Sequence, residues 1–241
     1  MSDIAKRFKS ETAGHQMTVL HDDGLYRHLR FAPEDNSLYW WDLITWPYNL
    51  IVNGSHGSFH FCRFGSDTQD MLVLFRDSRA GGFVNPEYWE EKLRAGEAKG
   101  WSEAKFRSFV TEEAAALEAR YPGTVKAVGE QILNSDERST EYAETARFAC
   151  HQFRHGDVTL RFPDEWDLSF EEFDWKYLWQ CHAIVDGIAR YDATVCGSRC
   201  PEHPEHYCRR SPVHQPGICR DREQKGTESC AWDARVKAVA A

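Results

Sequence analysis

Residues 16–33 read QMTVLHDDGLYRHLRFAP, and the turn residues Asp22-Asp23-Gly24 separate two short runs with the alternation of β-strands. This pattern predicts two antiparallel strands joined by a tight turn. The segment SLYWWDLITWP (37–47) follows, rich in aromatic and β-branched residues and ended by Pro47. YNLIVNGSHGSFHFCRF (48–64) predicts a further hairpin that turns at Gly54–Gly57. We therefore expect four to five antiparallel strands within residues 16–64.

Beyond residue 67 the pattern becomes helical. Asn85 and Pro86 form a helix start signal, and Ser102 caps a segment whose apolar stripe runs to a stop at Pro122-Gly123. Shorter helices are expected near 124–134 and 140–153, and a largely apolar helix over 175–192. The predicted fold is α+β, with an antiparallel meander (about 16–64) and a helical part (about 68–192) in one domain, 1–192. A Cys-rich irregular tail, 193–241, completes the chain.

Composition limits the class of protein. The chain is 41% hydrophobic and carries a formal net charge of −9, with 38 acidic and 29 basic residues. No apolar stretch is long enough for a membrane helix, and the polar start predicts a cytoplasmic protein with reduced cysteines. An acidic body repels phosphate backbones, so we expect a basic protein partner rather than direct nucleic-acid binding by the body. The sequence also leaves open that the protein forms a homodimer.

The tail contains the stretch CGSRCPEHPEHYC (196–208) and two later cysteines. Zinc prefers four sulfur or nitrogen ligands, supplied as close pairs. The candidate ligands of a structural zinc ion are therefore Cys196, Cys200, Cys208 and Cys219, with His206 as an alternative to Cys208. The spacings match no C-x2-C template, so a tail with free thiols remains the alternative.

The second candidate site is FPDEWDLSFEEFDWK (162–176), where carboxylates alternate with aromatic residues. Such a surface suits a basic groove on a partner, because aromatic anchors supply affinity and charges steer the encounter. The candidate contact residues are Asp164, Glu165, Trp166, Asp167, Glu171, Glu172 and Asp174. The alternative is an ordinary helix start, in which Ser169 and Glu172 form a capping box.

Signatures of catalysis are weak in this sequence. Asp164 followed by Asp174-x-Lys176 resembles a Mg²⁺ nuclease pattern in a degenerate form, and that pattern requires a strand where the sequence predicts a helix. No phosphate-binding loop, dinucleotide fingerprint, nucleophile elbow or zinc-protease motif occurs. Cys62, Cys150 and Cys181 lie in apolar patterns, which predicts core positions. We assign no catalytic residue.

Five segments carry a resemblance to a known family: AKRF (5–8), ETAGHQMTVLHDDGLYRHLRF (11–31), YWWDLITWP (39–47), NPEYWEEKL (85–93) and YLWQCHAIVDGIARYD (177–192). They resemble a family of mostly uncharacterised proteins of bacteriophages and prophages of proteobacteria. The tail lies outside the resemblance, and the family has no catalytic residues to carry over. The resemblance implies a phage accessory protein, of a kind that often counters host defence, as anti-CRISPR proteins do. The alternative is a zinc-containing phage regulator that associates with nucleic acid through its tail.

Overall fold

The computed structural model describes residues 3–34, 38–65, 69–76, 84–135, 140–158, 160 and 170–194, and the backbone of 219–220 and 231–232. Its helices are α1 (Asp3–Glu11), α2 (Met71–Arg76), α3 (Pro86–Glu90), α4 (Glu103–Glu118), α5 (Thr124–Val128), α6 (Ala143–Gln152) and α7 (Trp175–Thr194), and a π-helical turn, Gly129–Leu133, follows α5.

Ten strands complete the described structure: β1 (Gln16–Asp23), β2 (Tyr26–Ala32), β3 (Trp41–Trp46), β4 (Asn49–Gly54), β5 (Gly57–Cys62), β6 (Leu93–Ala95), β7 (Lys99–Trp101), β8 (Glu171–Phe173), β9 (Cys219–Arg220) and β10 (Ala231–Trp232). The elements confirm the predicted α+β class. None of the described helices is long and apolar enough to cross a membrane.

Contacts divide the chain into two compact units, Met1–Ala98 with Trp175–Ala241, and Lys99–Asp174. We call them the sheet unit and the helical unit. The sequence predicts one domain over residues 1–192, and this internal division was not foreseen. The predicted tail, residues 193–241, lies almost entirely outside the described residues.

The sheet unit contains an antiparallel meander in the order β1-β2-β3-β4-β5-β6. The first five strands are the predicted ones, and Gly54 pairs with Gly57 across the expected hairpin turn. Gly57 has φ 101°, a conformation that favours glycine. The sixth strand was missed: the helix that begins at Pro86 ends at Glu90, and Leu93 then pairs with Phe61 of β5. Backbone pairing at the edge of the sheet outweighs the helical pattern there.

Helix α7 packs against the meander and supplies the other half of its core. Trp41 of β3 stacks on Phe31 at a centroid distance of 4.8 Å and meets Trp179 edge-on at 5.7 Å. All three rings are fully buried. Each such side chain contributes roughly 1.5–3 kcal/mol through its removal from water. Gly187 permits the close approach, because a Cβ there would lie 2.6 Å from Leu43.

The helical unit has a core of its own, built on α4. The Ser102 hydroxyl accepts a hydrogen bond from the Lys105 amide and caps the helix, as the sequence predicts. Phe106, Val110 and Ala114 are buried along the predicted stripe. They pack with residues of α5, the π-helical turn and α6, and with Phe170 just before β8.

Candidate functional site

Four of the seven predicted contact residues, Asp164, Glu165, Trp166 and Asp167, lie outside the described residues. The other three lie at the end of the helical unit. Glu171 and Glu172 belong to β8, which pairs antiparallel with β7, and Asp174 follows the strand directly. The structure therefore corrects the capping-box interpretation: Glu172 lies in a strand, and the helix begins only at Trp175.

The two glutamates are exposed on this short strand. Adjacent residues of a strand point to opposite faces, so Glu171 and Glu172 present carboxylates on both sides of the two-stranded sheet. Glu172 stands opposite Gly100, which has no side chain to cover it. Strand β8 therefore offers accessible negative charge in two directions.

Hydrogen bonds to the backbone hold the N-terminal end of β8. The Ser102 amide donates to the Phe170 carbonyl at 2.6 Å, and the Lys105 ammonium donates to the Glu171 carbonyl at 2.6 Å. Lys99 lies 4.8 Å above the Phe173 ring. These contacts fix the position of β8, and the two lysine contacts go to a backbone carbonyl and to an aromatic ring.

The aromatic residues of the acidic segment have different roles from those the sequence predicts. Phe170 is buried against Trp101, Phe106 and Phe109, with ring centroids 5.2–5.8 Å apart, so it is a core residue and not a docking anchor. Phe173 is half-buried. Of the predicted contact residues, Trp166 is therefore the one aromatic anchor, and it lies outside the described residues.

The predicted zinc ligands Cys196, Cys200 and Cys208 also lie outside the described residues. Cys219 begins β9, which pairs antiparallel with β10, and only its backbone is described. Within the described ranges, no group of three or more His, Cys, Asp or Glu side chains could hold a metal ion. The pattern Asp174-x-Lys176 spans the end of a strand and the first turn of α7, so it has no acid-x-Lys strand of the nuclease type.

Cys62, Cys150 and Cys181 are buried, as predicted. Burial raises the pKa of the Cys150 thiol to about 12 and raises that of Cys181 as well. A thiol with a raised pKa carries little thiolate at neutral pH and is a poor nucleophile. These three cysteines are therefore structural residues of the hydrophobic core.

A groove of about 670 Å³ lies between α1 and α7 in the sheet unit, and sequence reasoning missed it. Phe8 and Val185 contribute to its apolar lining, while Lys9, His182 and Asp186 add polar groups. The sequence does contain a pattern that indicates this groove: the lining residues of α7 are spaced at i, i+3, i+4, i+7 and i+8, so they share one face of the helix. Burial lowers the pKa of His182.

A second missed feature is the burial of histidine side chains in the sheet unit. His56, in the β4–β5 turn, lies between Trp175 and Trp179 at ring distances of 4.8 and 4.6 Å. Its Nε2 and the Nδ1 of His15 are buried with no hydrogen-bond partner in the part of the chain described here. Burial lowers the pKa of both imidazoles. In the sequence, His56 is one residue of the turn predicted at Gly54–Gly57, and Trp175 and Trp179 lie more than 100 positions away from it.

Comparison with protein-family models, with curated proteins and with solved structures finds no match to this chain.

Proposed function

We propose that this protein is a phage or prophage accessory protein that binds a host defence effector complex in the cytoplasm and inhibits it without catalysis. The observation that carries the proposal is the distribution of charge. The helical unit, Lys99–Asp174, holds 16 Asp/Glu and 9 Lys/Arg and thus accounts for −7 of the chain's net charge of −9. All seven candidate contact residues belong to this unit.

The physical basis is complementarity with a nucleic-acid-binding groove. Defence complexes that hold nucleic acid do so through basic surfaces, and an acidic protein of the same sign as the nucleic acid competes for them. The exposed carboxylates of Glu171 and Glu172 support this role, since they lie on a strand whose backbone is held in place. The resemblance to phage and prophage proteins supports the choice of partner.

Binding of the purified 241-residue chain to a panel of CRISPR effector complexes tests the proposal. The variant Glu171→Lys/Glu172→Lys reverses the charge of β8 and is expected to weaken binding by on the order of tenfold or more. The matched control, Glu112→Lys/Glu113→Lys, makes the same charge change on the exposed face of α4 and should weaken binding clearly less. Equal losses in the two variants, or no binding to any complex at micromolar concentration, would contradict the proposal.

A titration of inhibition separates binding from catalysis. A non-catalytic inhibitor gives full inhibition only at a fixed stoichiometric ratio to the effector complex, whereas an enzyme acts at a small fraction of it. Rising salt should slow association, because steering between exposed charges is screened. Inhibition at a hundredth of the effector concentration would overturn the non-catalytic assignment.

The zinc-containing regulator makes a different prediction on the same sample. If the protein is such a regulator, the purified chain should contain about one zinc ion and should bind nucleic acid. The double variant Cys196→Ser/Cys200→Ser should then lose both the zinc and the nucleic-acid binding. Inhibition that survives this double substitution favours the acidic inhibitor, and loss of inhibition together with the metal favours the regulator.

A further inference from the structure

Strand β1 forms one edge of the meander, and its outer side has no paired strand in the described structure. The strand is eight residues long, and six of the eight are exposed. Val19 and Leu20, at its centre, are 46% and 50% exposed, and Tyr26 beside the turn is 56% exposed. The edge therefore combines a backbone that pairs with no further strand in the described structure with exposed apolar side chains.

Natural proteins usually protect such edges with charged residues (lysine above all), proline, β-bulges or very short strands. The opposite edge of this sheet follows that rule, since β6 has three residues and carries Arg94. Strand β1 contains no Lys, Arg or Pro. It does carry Asp22 and Asp23 at its C-terminal end and a bulge between Val19 and His21, whose extra residue is the apolar Leu20. At its centre, however, the exposed Val19–Leu20 segment has no charged residue or proline, which leaves this part of the edge suited to pairing.

The charges along β1 suit pairing with a second copy of the same strand. Its acidic residues, Asp22 and Asp23, are at the C-terminal end, and its N-terminal half, Gln16–Thr18, is uncharged. Antiparallel pairing places each acidic end against the uncharged half of the other copy and brings the Val19–Leu20 segments together at the centre. Parallel pairing would instead align the like charges.

The net charge of the sheet unit does not oppose pairing of β1 with a second copy. Met1–Ala98 and Trp175–Ala241 hold 20 Lys/Arg and 22 Asp/Glu, a nearly balanced set, so two sheet units approach with little repulsion. We propose that the protein forms a homodimer through antiparallel pairing of β1 with β1 of a second copy, which extends the meander across both chains. This inference is independent of the proposed inhibitory function. A single strand pair buries less surface than a standard interface, so a dissociation constant in roughly the micromolar range is expected.

Sedimentation equilibrium of the 241-residue chain from about 1 to 500 μM tests the dimer. The mass should rise from the 27.9 kDa of one chain to twice that value. Leu20→Lys should weaken association by about tenfold or more, because it places two ammonium groups at the centre of the contact. Thr18→Lys, at another exposed position of β1, carries the same test if Leu20→Lys does not fold.

The control is Phe148→Lys, which changes an exposed aromatic residue of α6 in the other unit and should leave association unchanged. Hydrogen exchange locates the contact: the β1 amides should gain protection as the concentration rises. A monomer throughout the range, or a dimer equally sensitive to Phe148→Lys, overturns the proposal. The proposal is also overturned if a dimer forms but the β1 amides gain no protection as the concentration rises. It is equally overturned if the protein stays monomeric and the β1 amides are protected only when a different protein binds.

Discussion

Arg27 of β2 and Asp70, just before α2, form a bidentate ion pair inside the sheet unit. Nη1 and Nη2 of Arg27 donate to the two carboxylate oxygens at 3.0 and 2.9 Å, and the side chains are 1% and 8% exposed. Asp70 also accepts from the Leu72 amide, and Arg27 also donates to the Thr45 hydroxyl. The pair therefore joins α2 to the meander in a region where an unpaired charge is costly.

Asp70→Asn should cost about 3 kcal/mol or more of the free energy of unfolding, because it leaves the Arg27 charge buried without its counter-ion. Urea unfolding monitored by tryptophan fluorescence measures the loss. Arg27→Met/Asp70→Asn should cost less than the sum of the two single changes, since neither charge is then left alone. As a control, Asp3→Asn breaks a fully exposed pair with Lys6 and should change stability far less. A small effect of Asp70→Asn contradicts the argument.

The buried histidines predict a loss of stability on mild acidification. Burial lowers the pKa values of His15, His56 and His182 below the ordinary 6.5. As the pH falls below about 6.5, the unfolded chain takes up protons before the folded one does, so the free energy of unfolding falls with pH. The limiting slope is about 1.4 kcal/mol per pH unit for each such histidine.

His56→Phe tests this prediction, since it keeps a ring between Trp175 and Trp179 and removes the titrating group. The variant should show a flatter dependence of unfolding free energy on pH between 7 and 5. His151→Gln changes an exposed histidine of α6 and serves as the control. A wild-type protein equally stable at pH 5 and pH 7 would show that these imidazoles are not the source of pH sensitivity.

Gly187 tests how closely α7 approaches the sheet. Alanine favours helices over glycine by about 1 kcal/mol, but its Cβ would lie 2.6 Å from Leu43 Cδ1 and 3.0 Å from the tip of the Phe31 ring. Both neighbours are fully buried, so overpacking of about 1–3 kcal/mol should outweigh the gain. We expect Gly187→Ala to lower the unfolding temperature.

The matched control is Gly129→Ala in the π-helical turn, where the nearest atom to a new Cβ is 3.9 Å away. This change should leave the unfolding temperature unchanged or raise it. Stabilisation by Gly187→Ala would mean that α7 can shift away from the meander at little cost.

The predicted meander is confirmed because its strands are neighbours in sequence, so short-range signals suffice. Pro47 ends β3, Gly57 shapes the following turn, and alternation assigns the faces. Helix starts were equally local, since the Asn85 and Ser102 side chains accept bonds from amides three residues ahead. The candidate site was less predictable: Glu171 and Glu172 are exposed as expected, but they lie on a strand and not at a helix start.

Local sequence patterns were enough to predict the α+β class, the first five strands of the meander, the helix starts, the buried cysteines and an acidic body. Three features emerge from the folded chain alone: Leu93–Ala95 joins the sheet, Glu171–Phe173 pairs with Lys99–Trp101, and His56 lies among tryptophans. The physical reason is the range of the interactions. Turns, caps and alternation act over a few residues, whereas strand edges and buried rings are completed by partners that folding brings from tens of residues away.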